Sequence, residues 1–263
     1  MLDDAKRQAL SDMLYNALRT QTPVAPLTEQ VAGIDIDDAY HISLGMVQRR
    51  VDQDGEKIIG KKIGVTSKVV QEMLGVHQPD FGFLTDAMQY ENGAAIPVAN
   101  NLIAPRAEAE IGFMLKKDLV GPGITEQDVL DATDYIMPCF EIVDSRIRDW
   151  QIRIEDTIAD NASCGVFTLG EGRADPRTLD LPKLRIRVWK NGQPLSEGLG
   201  SAVQGNPLTA VAWLANTLGR YNIPFKAGEV ILSGSLVPLE NVGAGDAMRL
   251  ELEGVGTAEV RFV

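Results

Sequence analysis

Arg106-Ala107-Glu108-Ala109-Glu110-Ile111-Gly112-Phe113 alternates strictly in character. Ala107, Ala109, Ile111, Phe113 and Leu115 fall on one side; Arg106, Glu108, Glu110 and Gly112 fall on the other. A period of two predicts a strand over residues 106–115 with one apolar face. Side chains two apart on a strand point the same way, with Cα atoms roughly 6.6 Å apart, so Glu108 and Glu110 can converge on one cation. Further along, Pro138-Cys139-Phe140-Glu141-Ile142-Val143-Asp144 offers a third carboxylate. An oxygen-only set of this kind suits a hard, octahedral ion such as Mg²⁺ or Mn²⁺, with positions left for water or substrate. Taken alone, Glu-x-Glu more often marks a solvated strand face, and Arg106 is the basic residue at hand to pair with it. The company this stretch keeps decides between the two readings.

Upstream, Ile58-Ile59-Gly60-Lys61-Lys62-Ile63-Gly64-Val65-Thr66-Ser67 predicts a short strand whose glycines let the backbone approach a neighbour closely. Ser67 then caps a short expected helix carrying Val69, Val70, Met73 and Leu74, ended by Gly75. Val76-His77-Gln78-Pro79-Asp80-Phe81-Gly82 follows as a polar loop between apolar flanks, where function concentrates. The N-terminal part reads as helical. Leu10, Met13, Leu14, Ala17 and Leu18 form one stripe closed by Pro23 and Pro26, and a second helix begins near Asp37, with Ala39, Ile42, Ser43, Met46 and Val47 on its apolar side. His41 on that helix reads as an ordinary, partly buried histidine.

Downstream, Thr125 with Asp128 makes a near capping box, stapled by Ile124 and Val129, for a helix to about Thr133. Leu184, Ile186 and Val188 alternate with Arg185, Arg187 and Trp189 ahead of an Asn191-Gly192 hairpin turn. Asn206 and Pro207 open another helix that Gly219 stops. Glu229 to Ser235 is a buried strand, and Met248–Glu253 with Thr257–Val263 makes a final strand pair. Strands and helices do not alternate regularly, which favours a mixed α+β fold over a doubly wound sheet.

Composition removes several classes of function. Asp and Glu number 37 against 25 Lys and Arg, and the resulting charge of −12 argues against nucleic acid or an anionic membrane as partner. No apolar run is long enough to span a bilayer, and Met1 to Arg7 lacks the apolar segment of a signal peptide, so a cytoplasmic address is expected. Cys139 and Cys164 show no CxxC spacing, so neither a zinc ribbon nor a disulfide framework is suggested. His41 and His77 are the only histidines, too few for a His-rich zinc site and poor material for a Ser-His-Asp triad. Neither a G-x-G-x-x-G nor a G-x-S-x-G motif is present.

Five motifs occur in order: Gly60 to Ser67, Gln78 to Gly82, Arg106 to Glu110, Glu141 to Arg146, and Asp156-Thr157-Ile158-Ala159-Asp160-Asn161-Ala162-Ser163. Together they resemble the hydratase/decarboxylase branch of the fumarylacetoacetate hydrolase superfamily, from the helical N-terminus to Ser233-Gly234-Ser235. The resemblance implies a mixed β-roll catalytic domain over residues 58–263 with a smaller helical N-terminal cap over 1–57. It implies Mg²⁺ or Mn²⁺ held by Glu108, Glu110 and Glu141, a catalytic Lys62 in Gly-x-Lys-x-Gly, and a catalytic Asp80. Ser163, Ser235 and His77 are its candidate substrate contacts. On a strand, Lys61 would point to the opposite face from Lys62. A lysine close to a metal in a closed pocket is expected to have a lowered pKa.

The activity implied is hydration of 2-hydroxypenta-2,4-dienoate (2-oxopent-4-enoate) to 4-hydroxy-2-oxopentanoate, in meta-cleavage degradation of aromatic compounds. Decarboxylation of 4-oxalocrotonate, or a non-catalytic role beside that decarboxylase, is the alternative. The resemblance also implies a homo-oligomer and association with a 4-oxalocrotonate decarboxylase.

Overall fold

A computed structural model describes residues 1–68, 71–72 and 75–263. The side chains of the helix expected over Val69, Val70, Met73 and Leu74 lie outside the described residues. The elements in chain order are α1 (Asp4–Thr20), α2 (Leu27–Gln30), α3 (Ile36–Asp54), β1 (Ile58–Gly64), β2 (Asp80–Thr85), β3 (Gln89–Tyr90), β4 (Ala95–Ile96), β5 (Arg106–Leu115), α4 (Glu126–Ala132) and β6 (Thr133–Val143). They continue with α5 (Ile154–Ala159), β7 (Cys164–Leu169), β8 (Arg185–Lys190), β9 (Gln193–Leu199), α6 (Pro207–Gly219), β10 (Val230–Ser235), β11 (Glu240–Asn241), β12 (Ala247–Leu252) and β13 (Gly256–Phe262).

The N-terminal helices start where polar side chains can take up free backbone N–H groups. Asp3 accepts from the Lys6 N–H at 2.8 Å ahead of α1, and Asp35 with Asp38 forms a capping box ahead of α3. Gly55 ends α3 in the left-handed region (φ 72°). Leu10 and Leu14 of α1 and Ile42, Met46 and Val47 of α3 are buried together with the main sheet residues in one apolar cluster. Tyr40 of α3 stacks on Phe81 of β2 with ring centroids 4.2 Å apart, which fixes the helices against the strand that begins at Asp80.

The strands form two sheets. The larger has the order β2-β1-β10-β5-β6-β7-β3, with β11 also on β5, and curls into a half-barrel; the smaller is β4-β13-β12-β8-β9. The fold is α+β with mixed sheets, as the sequence indicated. Strand direction decides where the site sits. β1 and β10 run parallel, while β2, β5 and β7 run opposite to β1, β10 and β6. One end of the half-barrel therefore gathers Gly64, Ser235 and Val143, where strands finish, with Asp80, Arg106 and Cys164, where strands begin. Leu84, Met88, Cys139, Cys164, Phe167, Val230 and Leu232 make a second apolar cluster, separate from the main core.

Candidate metal centre and active site

β5 spans Arg106–Leu115, and its pairing with β6 sets Glu108 directly opposite Glu141 and Glu110 opposite Cys139. Same-face neighbours on paired strands lie close, so the three carboxylates converge. One ligand oxygen from each of Glu108, Glu110 and Glu141 lies within 4.8 Å of the other two. Glu110 and Glu141 are buried and Glu108 is half-buried. Glu110 Oε2 accepts from the Gly234 N–H at 2.7 Å, whereas Glu110 Oε1 is buried without a hydrogen-bond partner among the described residues. Gly234 is in the left-handed region (φ 107°), and a Cβ there would collide with Thr66, so only glycine can turn its N–H toward Glu110.

Burial pushes Glu108 up to about 8, with Glu141 adding to the rise and Lys62 opposing it. Burial, then Glu141 and Glu108, drives Glu110 well above the usual carboxylate range. Three like charges taken out of water resist ionisation unless a cation joins them. An unpaired buried oxygen within an all-carboxylate set fits a hard divalent cation in donor type and in charge.

Lys62 follows Lys61 on β1, and the pleat separates them. Lys61 turns away to pair with Glu229, while Lys62, equally buried, places Nζ 3.1 Å from Glu141 Oε1. Asp80 sits opposite Gly64 on β2. A Cβ on Gly64 would collide with Asp80 Oδ1 and stand 3.5 Å from Lys62 Nζ, so this glycine makes the room in which the two side chains meet. Burial pushes Asp80 up to about 6, against the pull of Lys62 and with help from Glu141. Burial works to lower Lys62, but Glu141, Cys164, Asp80 and Glu108 together raise it above the ordinary lysine value. That direction reverses the expected lowering: the expectation weighed burial and a cation, and the surrounding carboxylates outweigh burial.

The remaining candidates separate. Ser163 is buried, and its Oγ is 3.2 Å from Thr157 Oγ1. Ser235 lies opposite Glu110 on β10, but its hydroxyl donates to the Val237 carbonyl at 2.8 Å. His77 is exposed and lines a cleft of about 730 Å³ with Thr66, Gln71, Ser201, Gln204 and Thr209. Thr66 also packs on Gly234, so this cleft lies at the carboxylate end of the half-barrel. His41 is exposed on α3, with Nδ1 against the Asp37 carbonyl, more open than its sequence context suggested.

Two features went unread in the sequence. Asn161 pairs with both backbone groups of Phe83, accepting from its N–H at 2.8 Å and donating to its carbonyl at 3.0 Å, and so ties β2 to the start of β7. Asn161, Ala162 and Ser163 all take left-handed backbone (φ 53°, 50° and 53°), a strain that tolerates asparagine better than alanine and is characteristic of functional sites. The motif holding Asn161 was in view, but no periodicity marks a side chain that completes a strand edge. Arg106, the partner at hand for Glu108 and Glu110, pairs with neither; its guanidinium lies 4.3 Å from the ring centroid of Trp150.

The profile of the fumarylacetoacetate (FAA) hydrolase C-terminal family matches residues 61–263. The chain belongs to that family. The matched FAA hydrolase segment takes in Lys62, Asp80 and all three glutamates, and begins after the N-terminal helices. The chain is 62% identical over 250 residues to the 2-hydroxyhexa-2,4-dienoate hydratase of Comamonas testosteroni, covering 95% of this chain and 94% of that one. It is 58% identical over 222 residues to the 2-hydroxypent-2,4-dienoate hydratase of Pseudomonas putida, covering 84% and 100%. Among solved FAA hydrolase folds, the 4-oxalocrotonate decarboxylase from Pseudomonas putida G7, complexed with magnesium and adipate, superimposes with a TM-score of 0.96 at 33% identity, covering 100% and 99% of the two chains.

Proposed function

We propose that this chain is a hydro-lyase dependent on Mg²⁺ or Mn²⁺ that adds water to 2-hydroxypenta-2,4-dienoate, giving 4-hydroxy-2-oxopentanoate in meta-cleavage degradation of aromatic compounds. The observation that carries the reading is the meeting of Lys62 and Asp80 beside the Glu108, Glu110 and Glu141 oxygens. Relatives named as dienoate hydratases at 62% and 58% identity support it, and the magnesium in the decarboxylase structure supports the choice of ion.

When bound, the divalent ion supplies Lewis acidity at the substrate's 2-oxygen and a seat for its carboxylate. The protein's own groups move the protons. The fourth carbon accepts water only after the dienol has become a 2-oxo-3-enoate, so a proton must leave the 2-hydroxyl and another must reach the terminal carbon. Water then forms a bond to the fourth carbon, gives up one proton, and the third carbon gains one, which balances the addition. Asp80, pushed up to about 6, can both take and return a proton near neutral pH. Lys62, held in its charged form, donates to the oxygen on which negative charge develops.

In this reading residues 1–57 cap the catalytic β-roll of residues 58–263, bracing Asp80 through the Tyr40 and Phe81 stack. His77 meets substrate in the cleft. Ser163 and Ser235 exchange their present hydrogen bonds for substrate. The reading includes a cytoplasmic homo-oligomer able to associate with a decarboxylase of similar fold.

The full-length likeness to 4-oxalocrotonate decarboxylase favours decarboxylation as the second reading. A product-resolved assay separates them: protein loaded with Mg²⁺ or Mn²⁺ is given freshly generated 2-hydroxypenta-2,4-dienoate and, separately, 4-oxalocrotonate. Formation of 4-hydroxy-2-oxopentanoate with no CO₂ from the second acid is the expected result. CO₂ release would transfer the chain to the decarboxylases, and silence on both acids would leave a partner subunit.

A further inference from the structure

We infer that the Thr66 hydroxyl holds the oxygen added at the fourth carbon, first as the attacking water and then as the 4-hydroxyl of the product, an assignment that rests on the hydratase reading above. Thr66 stands where the cleft meets the carboxylates. It lines the cleft of about 730 Å³, and its Oγ1 and Cγ2 pack on Gly234, whose N–H donates to Glu110 Oε2 at 2.7 Å, so one glycine separates this side chain from a ligand carboxylate. From the other side, Thr66 follows Gly64 by two residues, and Gly64 is the position at which Lys62 and Asp80 meet.

Thr66 is only 6% exposed, yet its hydroxyl has no hydrogen-bond partner among the described residues. A hydroxyl so enclosed is costly to leave unmatched, and a ligand or water in the cleft would complete it. The backbone beside it carries strain. Val65 takes the left-handed region (φ 55°), an outlier for a β-branched residue, and Gln71 Nε2 holds the turn by donating to the Val65 carbonyl at 2.9 Å. Ser233 Oγ is likewise buried without a partner among the described residues, but the pleat turns it to the face of Ile231, in the main core. Of the two, only Thr66 borders the cleft.

The chemistry leaves one polar group of the product without a partner. The ion takes the carboxylate and the 2-oxygen, Asp80 and Lys62 move protons, and the 4-hydroxyl remains. The fourth carbon lies two bonds beyond the second, so the oxygen it gains stands clear of the carboxylates, as Thr66 does. A threonine hydroxyl donates and accepts at once, so it can orient a water without competing with Asp80 for the proton.

The test uses full-length protein loaded with Mn²⁺ and compares, by calorimetry, 4-hydroxy-2-oxopentanoate with 2-oxopentanoate, which lacks only the 4-hydroxyl. Wild type should prefer the hydroxy acid by about fivefold, the worth of one hydrogen bond. Thr66→Val should bring that ratio near one and Thr66→Ser should restore it, with Mn²⁺ affinity by electron paramagnetic resonance and the thermal midpoint unchanged in both. On the dienoate, Thr66→Val should form the conjugated ketone at the wild-type rate and hydrate it about fivefold more slowly. An unchanged preference in Thr66→Val, or none in wild type, would overturn the assignment, and so would equal losses in the two steps. The outcome is separable from the hydratase reading: a Thr66-dependent preference in a protein inert toward the dienoate sinks hydration and keeps the contact, while an active protein whose Thr66→Val variant keeps the preference does the reverse.

Discussion

Arg146 and Lys62 are both cations sealed inside the protein, and their surroundings differ in one respect: how completely the neighbouring oxygens are used. Arg146 pairs through Nε with Asp160 Oδ1 at 2.5 Å and donates to the carbonyls of Asp144, Cys164 and Asp160. Asp160 Oδ2 accepts from the Arg146 N–H at 2.9 Å, and Asp144 accepts from the Ile103 and Ala104 N–H groups. Burial pushes Asp160 up to about 6 even so, with Arg146 opposing the rise. Around Lys62, by contrast, Glu110 Oε1 and Asp80 Oδ1 are buried without a hydrogen-bond partner among the described residues, and Glu108 is pushed to about 8. A cluster whose donors and acceptors are matched holds the loop between β6 and β7 in place. A cluster with oxygens to spare stores a capacity to bind.

The largest effect should come from breaking the matched cluster. Arg146→Met leaves Asp160 Oδ1 and three carbonyls without the guanidinium that donates to them, and removing one partner of a buried pair costs about 3–5 kcal/mol. Urea unfolding should show that loss; an unchanged midpoint would mean that the cluster contributes nothing to the frame. Breaking the unmatched cluster should leave the frame and remove the chemistry. Asp80→Asn should cut dienoate turnover by about 10²–10⁴-fold, the usual contribution of a general acid–base group, while retaining Mn²⁺ affinity. A fully active variant would take Asp80 out of the mechanism.

The contrast also explains how much could be read from the chain alone. β5 was legible because its alternation is a property of ten consecutive residues, and the capping box at Thr125 and Asp128 and the Asn191-Gly192 turn were legible because they are local. The convergence of Glu141 with Glu108 depends on register between β5 and β6, which no local pattern states; the ordered motifs and the resemblance they carried pointed to it. Asn161, Gly64 and Gly234 act through distant residues, and the direction of the Lys62 shift depends on three carboxylates from β2, β5 and β6 together with Cys164 of β7. Arg106 is near Glu108 in the chain, but its contact is Trp150, which arrives from a loop beyond β6 that no local pattern brings near it.

Smaller effects should appear as pH dependence in the metal-free protein. Glu108 has a folded pKa near 8 against an ordinary value of 4.5, because burial and then Glu141 penalise its charged form. A carboxyl raised on folding contributes stability fully below its unfolded value and loses it as pH rises through the folded one. The thermal midpoint of metal-free protein should therefore fall between about pH 5 and pH 9, and saturating Mg²⁺ should flatten the fall. A midpoint that rises over the same interval would contradict the charge assignment at this site.

The smallest effect should carry the opposite sign, at a buried carboxylate whose partners are complete. Burial works to raise Asp38, but the Leu2 N–H, Arg7 and the Asp35 N–H hold it below the usual aspartate range. An acid lowered on folding contributes stability above its unfolded value, here 3.8, and loses it as pH falls through the folded one. Asp38→Asn should thus lower the thermal midpoint at neutral pH, and the gap to wild type should close as pH falls below 3.8. A gap of constant size down to low pH would mean that Asp38 acts through shape and capping alone. Stability would then rise with pH neither here nor at Glu108, and Asp38 and Glu108 would not differ in the sign of their pH response.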